Sequence, residues 1–339
     1  MKTFIEKMLD RDHLSFDEAF YVMDMIMSGE VNNSQLAAIL IALKGKGETA
    51  AEIAGFASAM REKSIKVETK RSDLIDVCGT GGDDSGTINI STAAAFVVAG
   101  AGIGVAKHGN KSISSRSGSA DVLTQLGVKI DLSPSETGRA IDETGIGFLF
   151  APYYHPAMKY ASVVRKELGM KTVFNLLGPL TNPAGTKNQL VGVYNNKSAG
   201  LMADAASYLK MKRVLFICTG DCRDEVTLDT TTAIFEYKEG AGTTSYNLNP
   251  ADFGYPGVAI GDLIGDTPEY NAGVIYDLLK NPERDGKFFV VAANSALALY
   301  CAGISEDLRV CSGLAEESIL SGKAFNKLQE LIKFGEGTL

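Results

Sequence analysis

Apolar positions along the first sixty-odd residues recur with helical spacing. Ser15-Phe-Asp-Glu18 has the form of a capping box, and Phe20, Met23 and Met27 then share one helical face until Gly29 ends the run. A second helix starts after Asn33 or Ser34 and carries Leu36, Ile39, Leu40 and Leu43. A third starts at Thr49, with Glu52 three residues on, and carries Ile53, Phe56 and Met60. Three amphipathic helices of this length make a small bundle with an apolar face to spare.

From Leu74 the pattern changes to short β-branched runs alternating with helical ones, the signature of an α/β region with a largely parallel sheet. Strands are predicted at Leu74 to Cys78, Ile103 to Ala106 and Gly147 to Phe150. Between them lie helices from near Ser91, from Ser119 to Leu126, and from the capping box Ser133-Pro-Ser-Glu136. His155-Pro-Ala-Met-Lys159 leads into a helix reaching Leu168, and Phe174 to Pro183 reads as a loop rich in Asn, Gly and Pro. Strand character resumes at Gln189 to Tyr194, Arg213 to Cys218 and Ala233 to Tyr237, and the chain is mainly helical from about Tyr270. The division expected is a small helical domain over 1–68, joined by part of 160–182, and a large α/β domain over 69–339.

Composition narrows the class. The chain has 339 residues, enough to bury a large core, with a net charge of −8 that argues against broad nucleic-acid binding. Five cysteines without a disulfide-framework spacing, together with the lack of a leader or bilayer-length apolar run, place the protein in the cytoplasm, away from membranes. Cys218 and Cys222 have no further ligand at zinc spacing.

The candidate chemistry sits in two loops at strand ends, where ligands bind in open α/β sheets. The first, Gly79-Thr-Gly-Gly-Asp-Asp-Ser-Gly-Thr87 followed by Asn89-Ile-Ser-Thr92, combines glycines that permit close backbone approach with hydroxyl and amide donors at a helix start. It is neither a Walker A sequence nor a dinucleotide fingerprint, and alone a plain tight turn is the minority alternative to a phosphate loop. The second, Lys107-His-Gly-Asn-Lys-Ser-Ile-Ser-Ser-Arg-Ser-Gly-Ser119, concentrates cations and serines directly after a strand. Two such loops suit a ligand with two separate phosphate groups, with Asp83 placed to accept from a ribose hydroxyl. Adjacent acids at Asp224 and Glu225 are the candidate Mg²⁺ ligands, with Asp221 and Asp229 weaker. Arg165 offers a bidentate clamp for a substrate carboxylate, and His108 and His155 lie within motif-like segments.

These motifs, in this order, together with Asn175-Leu-Leu-Gly-Pro-Leu-Thr-Asn-Pro183, resemble the anthranilate phosphoribosyltransferase family over essentially the whole chain. The resemblance implies a homodimer formed through the N-terminal helical domain, and a fold of the nucleoside phosphorylase and phosphoribosyltransferase type. It implies that Gly79, Gly82, Asp83, Thr87, Asn89, Ile90, Ser91, Thr92, Lys107, His108, Gly109, Asn110, Lys111, Ser112, Ile113, Ser114, Ser115 and Ser119 bind phosphoribosyl pyrophosphate (PRPP). Ser91, Asp224 and Glu225 would hold two Mg²⁺ ions. Gly79, Asn110 and Arg165 would contact anthranilate, with His108 and His155 along its route. Lys111 stands where Arg is usual, Val163 where Pro is common, and Asp84 to Gly86 vary locally; the Val163 change bears on how the Arg165 helix begins. No residue is singled out as a general acid or base. The implied reaction is phosphoribosyl transfer from PRPP to the anthranilate amine in tryptophan biosynthesis. A pyrimidine nucleoside phosphorylase-like enzyme and a non-catalytic nucleic-acid-binding relative are the alternatives.

Overall fold

The computed structural model describes residues 1–83, 85–112, 116–220 and 223–339. Four helices open the chain: α1 (Lys2–Leu9), α2 (Phe16–Met27), α3 (Asn33–Lys46) and α4 (Ala50–Lys63). Ser15, Asn32, Ser133 and Thr49 each close a reciprocal capping box, so two otherwise unpaired amide donors are satisfied at each of those helix starts. The sequence pattern had no place for α1, whose N-cap Met1 provides no side-chain cap.

The α/β region continues with β1 (Leu74–Gly79), α5 (Ile90–Gly100), β2 (Gly104–Gly109), α6 (Ser119–Gln125), α7 (Pro134–Thr144), β3 (Ile146–Phe150), α8 (Ala151–Tyr154), α9 (Lys159–Leu168) and α10 (Phe174–Leu177). It closes with β4 (Asn188–Gly192), α11 (Asn196–Tyr208), β5 (Arg213–Thr219), β6 (Thr232–Lys238), β7 (Gly242–Leu248), α12 (Pro250–Phe253), α13 (Pro268–Lys280), α14 (Gly286–Cys301), α15 (Leu308–Leu320) and α16 (Lys323–Glu336).

The strands form one sheet in the order β3-β2-β1-β4-β5-β6-β7, parallel from β3 to β5 and antiparallel at β6 and β7. β1, β4 and β5 are buried almost throughout, as a sheet covered on both faces requires, with Asp76, Asn188, Gln189 and Arg213 as buried polar exceptions among their apolar residues. One face carries α5, α14 and α16 over a core that includes Phe96, Leu190, Phe288 and Leu297. The other packs α11 and the N-terminal helices around Phe56, Phe174, Met202 and Phe216. Helix α9 lies against α2 and α3.

The chain runs from β1 outward to β2 and β3 and then returns to the opposite side of β1 as β4. Connections after β1 and β4 therefore diverge, leaving a crevice at the carboxyl ends of these two strands.

Candidate active site

Two glycines end β1 and β4 at the crevice, and Asp224 lies over both. A Cβ on Gly79 would stand 2.6 Å from Asp224 Oδ2, and one on Gly192 would stand 1.5 Å from the Asp224 carbonyl oxygen. Any side chain at either position would displace the acidic segment. Gly81 and Gly82 follow with left-handed φ of 64° and 73°, turning the loop so that the Gly81 amide donates to Asp224 Oδ2 at 3.1 Å. Asp83 then accepts from the Asp224 amide at 3.5 Å, so three acids meet where adjacency in sequence showed two.

The cost of that crowding is visible in their protonation. Burial, then repulsion from Asp83, lifts Asp224 to about 7. Burial and the neighbouring Asp224 push Glu225 well above its usual range. Glu225 Oε1 accepts from the Ser91 amide at 3.0 Å, while its Oε2 is buried without a partner among the described residues. A divalent cation relieves both the repulsion and the orphaned oxygen, so the donors fit Mg²⁺. Among the described residues no three His, Cys, Asp or Glu side chains form a metal cage by themselves, so ligand oxygens must complete any such shell.

Helix α5 starts differently from a simple phosphate cradle. The Ile90 amide donates to Ile88 O, Ser91 to Glu225, and Thr92 and Ala93 to Asn89 O. The anion at this helix start is the protein's own Glu225. What remains for a ligand are side chains: Asn89, the Ser91 hydroxyl and, nearby, Thr87, whose Oγ1 lies 3.2 Å from Ser85 Oγ. Ile90 and Thr92 are buried.

Lys107 and His108 belong to β2. The Lys107 ammonium is buried and donates to Val77 O at 2.7 Å, and the His108 amide donates to the fully buried Asp76. Asn182 donates to the same carboxylate from the segment after α10. At the end of the strand, Gly109 packs against Ser119 Oγ. Asn110 Oδ1 accepts from the Lys111 amide, Ser119 Oγ donates to Asn110 O, and Asp121 gathers the Ser112 and Gly118 amides. Ile113, Ser114 and Ser115, like Asp84, Asp221 and Cys222, lie outside the described residues. Asp229 pairs instead with Arg223 at 2.6 Å.

The His108 and His155 rings sit 5.2 Å apart, and both Nε2 atoms are buried without partners among the described residues. Burial, reinforced by His155, drives His108 down to about 3; burial and Lys66 drive His155 down to about 4. Both are neutral rings at physiological pH and feeble bases. The Arg165 guanidinium stands 5.1 Å over the Phe174 ring; burial lowers its proton affinity, and among the described residues no carboxylate pairs with it.

Three positions gave no motif signal. Lys171 donates to Gly82 O at 2.5 Å while lying over the Tyr194 ring, which closes the first loop from the far side. Asn294 on α14 brackets Val226 on both its amide and its carbonyl, fixing the backbone just after Glu225. Asn271 reaches Asn89. An amide buried mid-helix, as Asn294 is, was the available clue.

The acid cluster sets a pH signature. Above the ordinary histidine pKa near 6.5 both histidines are neutral folded and unfolded, so they add no slope there. Asp224 and Glu225 hold protons in the folded state that the unfolded chain has released, so stability falls as pH rises from 6.5 through about 8. Melting curves in chelator should show a drop of a few degrees over that window, and a flat line would contradict the acid geometry.

Comparison with known proteins agrees with this arrangement. Residues 2–64 match the glycosyl transferase family, helical bundle domain, and residues 71–325 match the glycosyl transferase family, a/b domain. The chain is thus a glycosyl transferase with both parts of that family's fold. An anthranilate phosphoribosyltransferase of Moorella thermoacetica is 47% identical over 339 residues, covering 99% of this chain and 98% of the relative. The crystal structure of the Thermus thermophilus enzyme of that name superposes with a TM-score of 0.91 at 40% identity, covering 98% of this chain and 99% of its own. The Saccharomyces cerevisiae enzyme in complex with PRPP and Mg superposes with a TM-score of 0.89 at 26% identity, covering 99% and 98%. The chain belongs to the anthranilate phosphoribosyltransferase family.

Proposed function

We infer that the chain transfers the phosphoribosyl group of PRPP to the amine of anthranilate, releasing pyrophosphate and N-(5-phosphoribosyl)anthranilate, in tryptophan biosynthesis. The observation that carries this reading is the meeting of Asp83, Asp224 and Glu225 with the first donor-rich loop at the β1/β4 crevice, to which the second loop is tied through Asn89 and Ser117.

The first loop, through Gly82, Asp83, Thr87, Asn89 and Ser91, faces pyrophosphate and ribose, with Ile90 and Thr92 buried beneath it. The second, through Gly109 to Ser115 and Ser119, takes the remaining phosphate, with the Lys107 ammonium buried behind it against Val77 O. Asp224, Glu225 and Ser91 would hold two Mg²⁺ ions, which supply neutralising charge to the departing pyrophosphate. Attack on ribose C1 inverts that carbon through an oxocarbenium-like transition state, and the loop donors stabilise negative charge that grows as the bond breaks. The neutral amine attacks without prior deprotonation, and the proton its nitrogen sheds once the C–N bond has formed passes to the departing pyrophosphate or to water, which matches two histidines too weakly basic to take it. His108 and His155 serve as uncharged walls on the acceptor's route, Asn110 and Gly79 bound its seat, and Arg165 pairs with its carboxylate. Much of the rate then comes from placing the two substrates.

The helical part, 1–68 with part of 160–182, is proposed as the dimerising domain. Leu9, Tyr21 and Ile41 are exposed on α1, α2 and α3 and supply apolar surface for a second copy. Light scattering giving a monomer mass at assay concentration would remove that reading. No described helix is long and apolar enough to cross a membrane, and we place the enzyme in the cytoplasm.

Loss of anthranilate fluorescence, dependent on both PRPP and Mg²⁺, tests the activity. Retained fluorescence with both present, alongside phosphorolysis of a pyrimidine nucleoside, would favour the phosphorylase-like alternative instead.

A further inference from the structure

Segment 263–271 has no role in the chemistry described above, yet it is built against both donor loops. The Ile88 amide donates to Leu263 O, the Gly265 amide donates to Gly86 O, and Thr87 pairs with Ile264 as an isolated antiparallel bridge. The approach is close: a Cβ on Gly265 would stand 2.8 Å from Thr87 O and 2.9 Å from the Ile88 amide nitrogen. From the same segment Asp266 pairs with Arg116 of the second loop at 2.6 Å. That pair is exposed and contributes little by itself.

Asn271, buried in the first turn of α13, is the internal part of the contact. Its Oδ1 accepts from the Asp266 amide at 2.9 Å, and its Nδ2 donates to Asn89 Oδ1 at 2.9 Å. Asn89 in turn donates from Nδ2 to Ser117 O, and its Oδ1 also accepts from the Ser117 hydroxyl. An amide side chain can be turned end for end, but this chain of contacts is anchored on main-chain groups that cannot. The Asp266 N–H can only donate, so it must meet Asn271 Oδ1. Asn271 then presents its amino end to Asn89 Oδ1. That leaves Asn89 Nδ2 for the Ser117 carbonyl, which can only accept. Among the described residues one Asn89 amide hydrogen is left over, with its direction set from a residue that lies 182 positions further along the chain.

We propose that Asn271 is a positioning residue for PRPP: it fixes the orientation of the Asn89 amide and holds the first donor loop to the second. The proposal rests on the transferase reading above. It concerns the donor only, since none of these contacts reaches Arg165, His108 or His155.

The test is a double-mutant cycle in the full chain, with Asn271→Ala, Asn89→Ala and both together, read as separate KM values for PRPP and anthranilate and as melting temperature. Loss of one hydrogen bond to a polar partner predicts a roughly tenfold rise in KM for PRPP on Asn271→Ala, with KM for anthranilate near wild type. The double variant should be no worse than Asn89→Ala, because Asn271 acts through it. Asn271→Asp is nearly isosteric and still accepts from Asp266, but opposes two acceptors at Asn89 Oδ1. It should raise KM for PRPP at least as much, and it carries the test if the alanine variant does not fold. An unchanged KM for PRPP, an equal rise in both KM values, or effects that multiply in the double variant would overturn the proposal. Wild-type protein that consumes no anthranilate with PRPP and Mg²⁺ fails the functional reading instead, so the two failures are distinct.

Discussion

Replacing Asp224 by Asn together with Glu225 by Gln lowers turnover by roughly a thousandfold or more while leaving the fold intact. The two carboxylates are the only described acids that reach the crevice beside Asp83, and pyrophosphate cannot leave cheaply without charge neutralisation at that point. The amide variants keep the shape of both side chains and lose the charge. Residual activity should accordingly respond weakly to Mg²⁺, where the wild type should respond steeply. The same substitution should have the opposite effect on the metal-free fold. Like charges held together in a partly dry site destabilise it, so the double variant should melt above the wild type in chelator at pH 8 and lose the fall in stability above pH 6.5. Wild-type turnover with an unchanged Mg²⁺ response would sink the assignment. A lower melting temperature in chelator would show that the carboxylates are stabilised by contacts other than those described.

The features readable from sequence are those set by a few neighbouring residues. Ser15, Thr49 and Ser133 announce their helices because a capping box is complete within four positions. The five parallel strands announce themselves through short apolar, often β-branched cores such as Leu74-Ile75, Leu190-Val191 and Val214 to Ile217, even though Asp76, Lys107 and Gln189 are buried among them. Strand β7 was not legible for the complementary reason. It is a polar edge strand, Gly-Thr-Thr-Ser-Tyr-Asn-Leu, mostly exposed and paired only to β6. Helix α1 lacks a capping side chain and so lacks a start signal.

In the site, both loops and the adjacent acids were legible as chemistry, but their partners were not. Asp83 and Asp224 meet across 141 positions, Lys171 and Gly82 across 89, and Asn271 and Asn89 across 182. These contacts exist because the β1/β4 switch point brings distant connections together, which local pattern does not encode. Whether the donors at the start of α5 are free for a phosphate also depends on what lies opposite. Glu225 takes the Ser91 amide, and that could not be seen before the acidic segment was placed over β1.

Replacing Arg165 by Ala raises KM for anthranilate by roughly thirtyfold to a hundredfold and leaves KM for PRPP close to wild type. A charge-assisted pair is worth about 2–3 kcal/mol, and each 1.4 kcal/mol is a factor of ten. Arg165 is placed to give most of that to a ligand. It is half-buried, it stacks on Phe174 rather than on an acid, and among the described residues nothing competes for its charge. Burial lowers its proton affinity, yet an arginine starting near 12.5 stays charged through neutrality, so the effect should not vary between pH 6 and 9. Arg165→Lys is the sharper control: it keeps the charge and loses the planar fork, so it should recover part of the affinity and not all. Helix α9 starts at Lys159, well before Val163, with a neighbouring 3₁₀ turn over Pro156–Met158, so Val163 in place of Pro does not shorten the helix that presents Arg165. A selective loss of PRPP affinity in Arg165→Ala would move the residue to the donor side, and the carboxylate clamp would have to be sought elsewhere in the crevice.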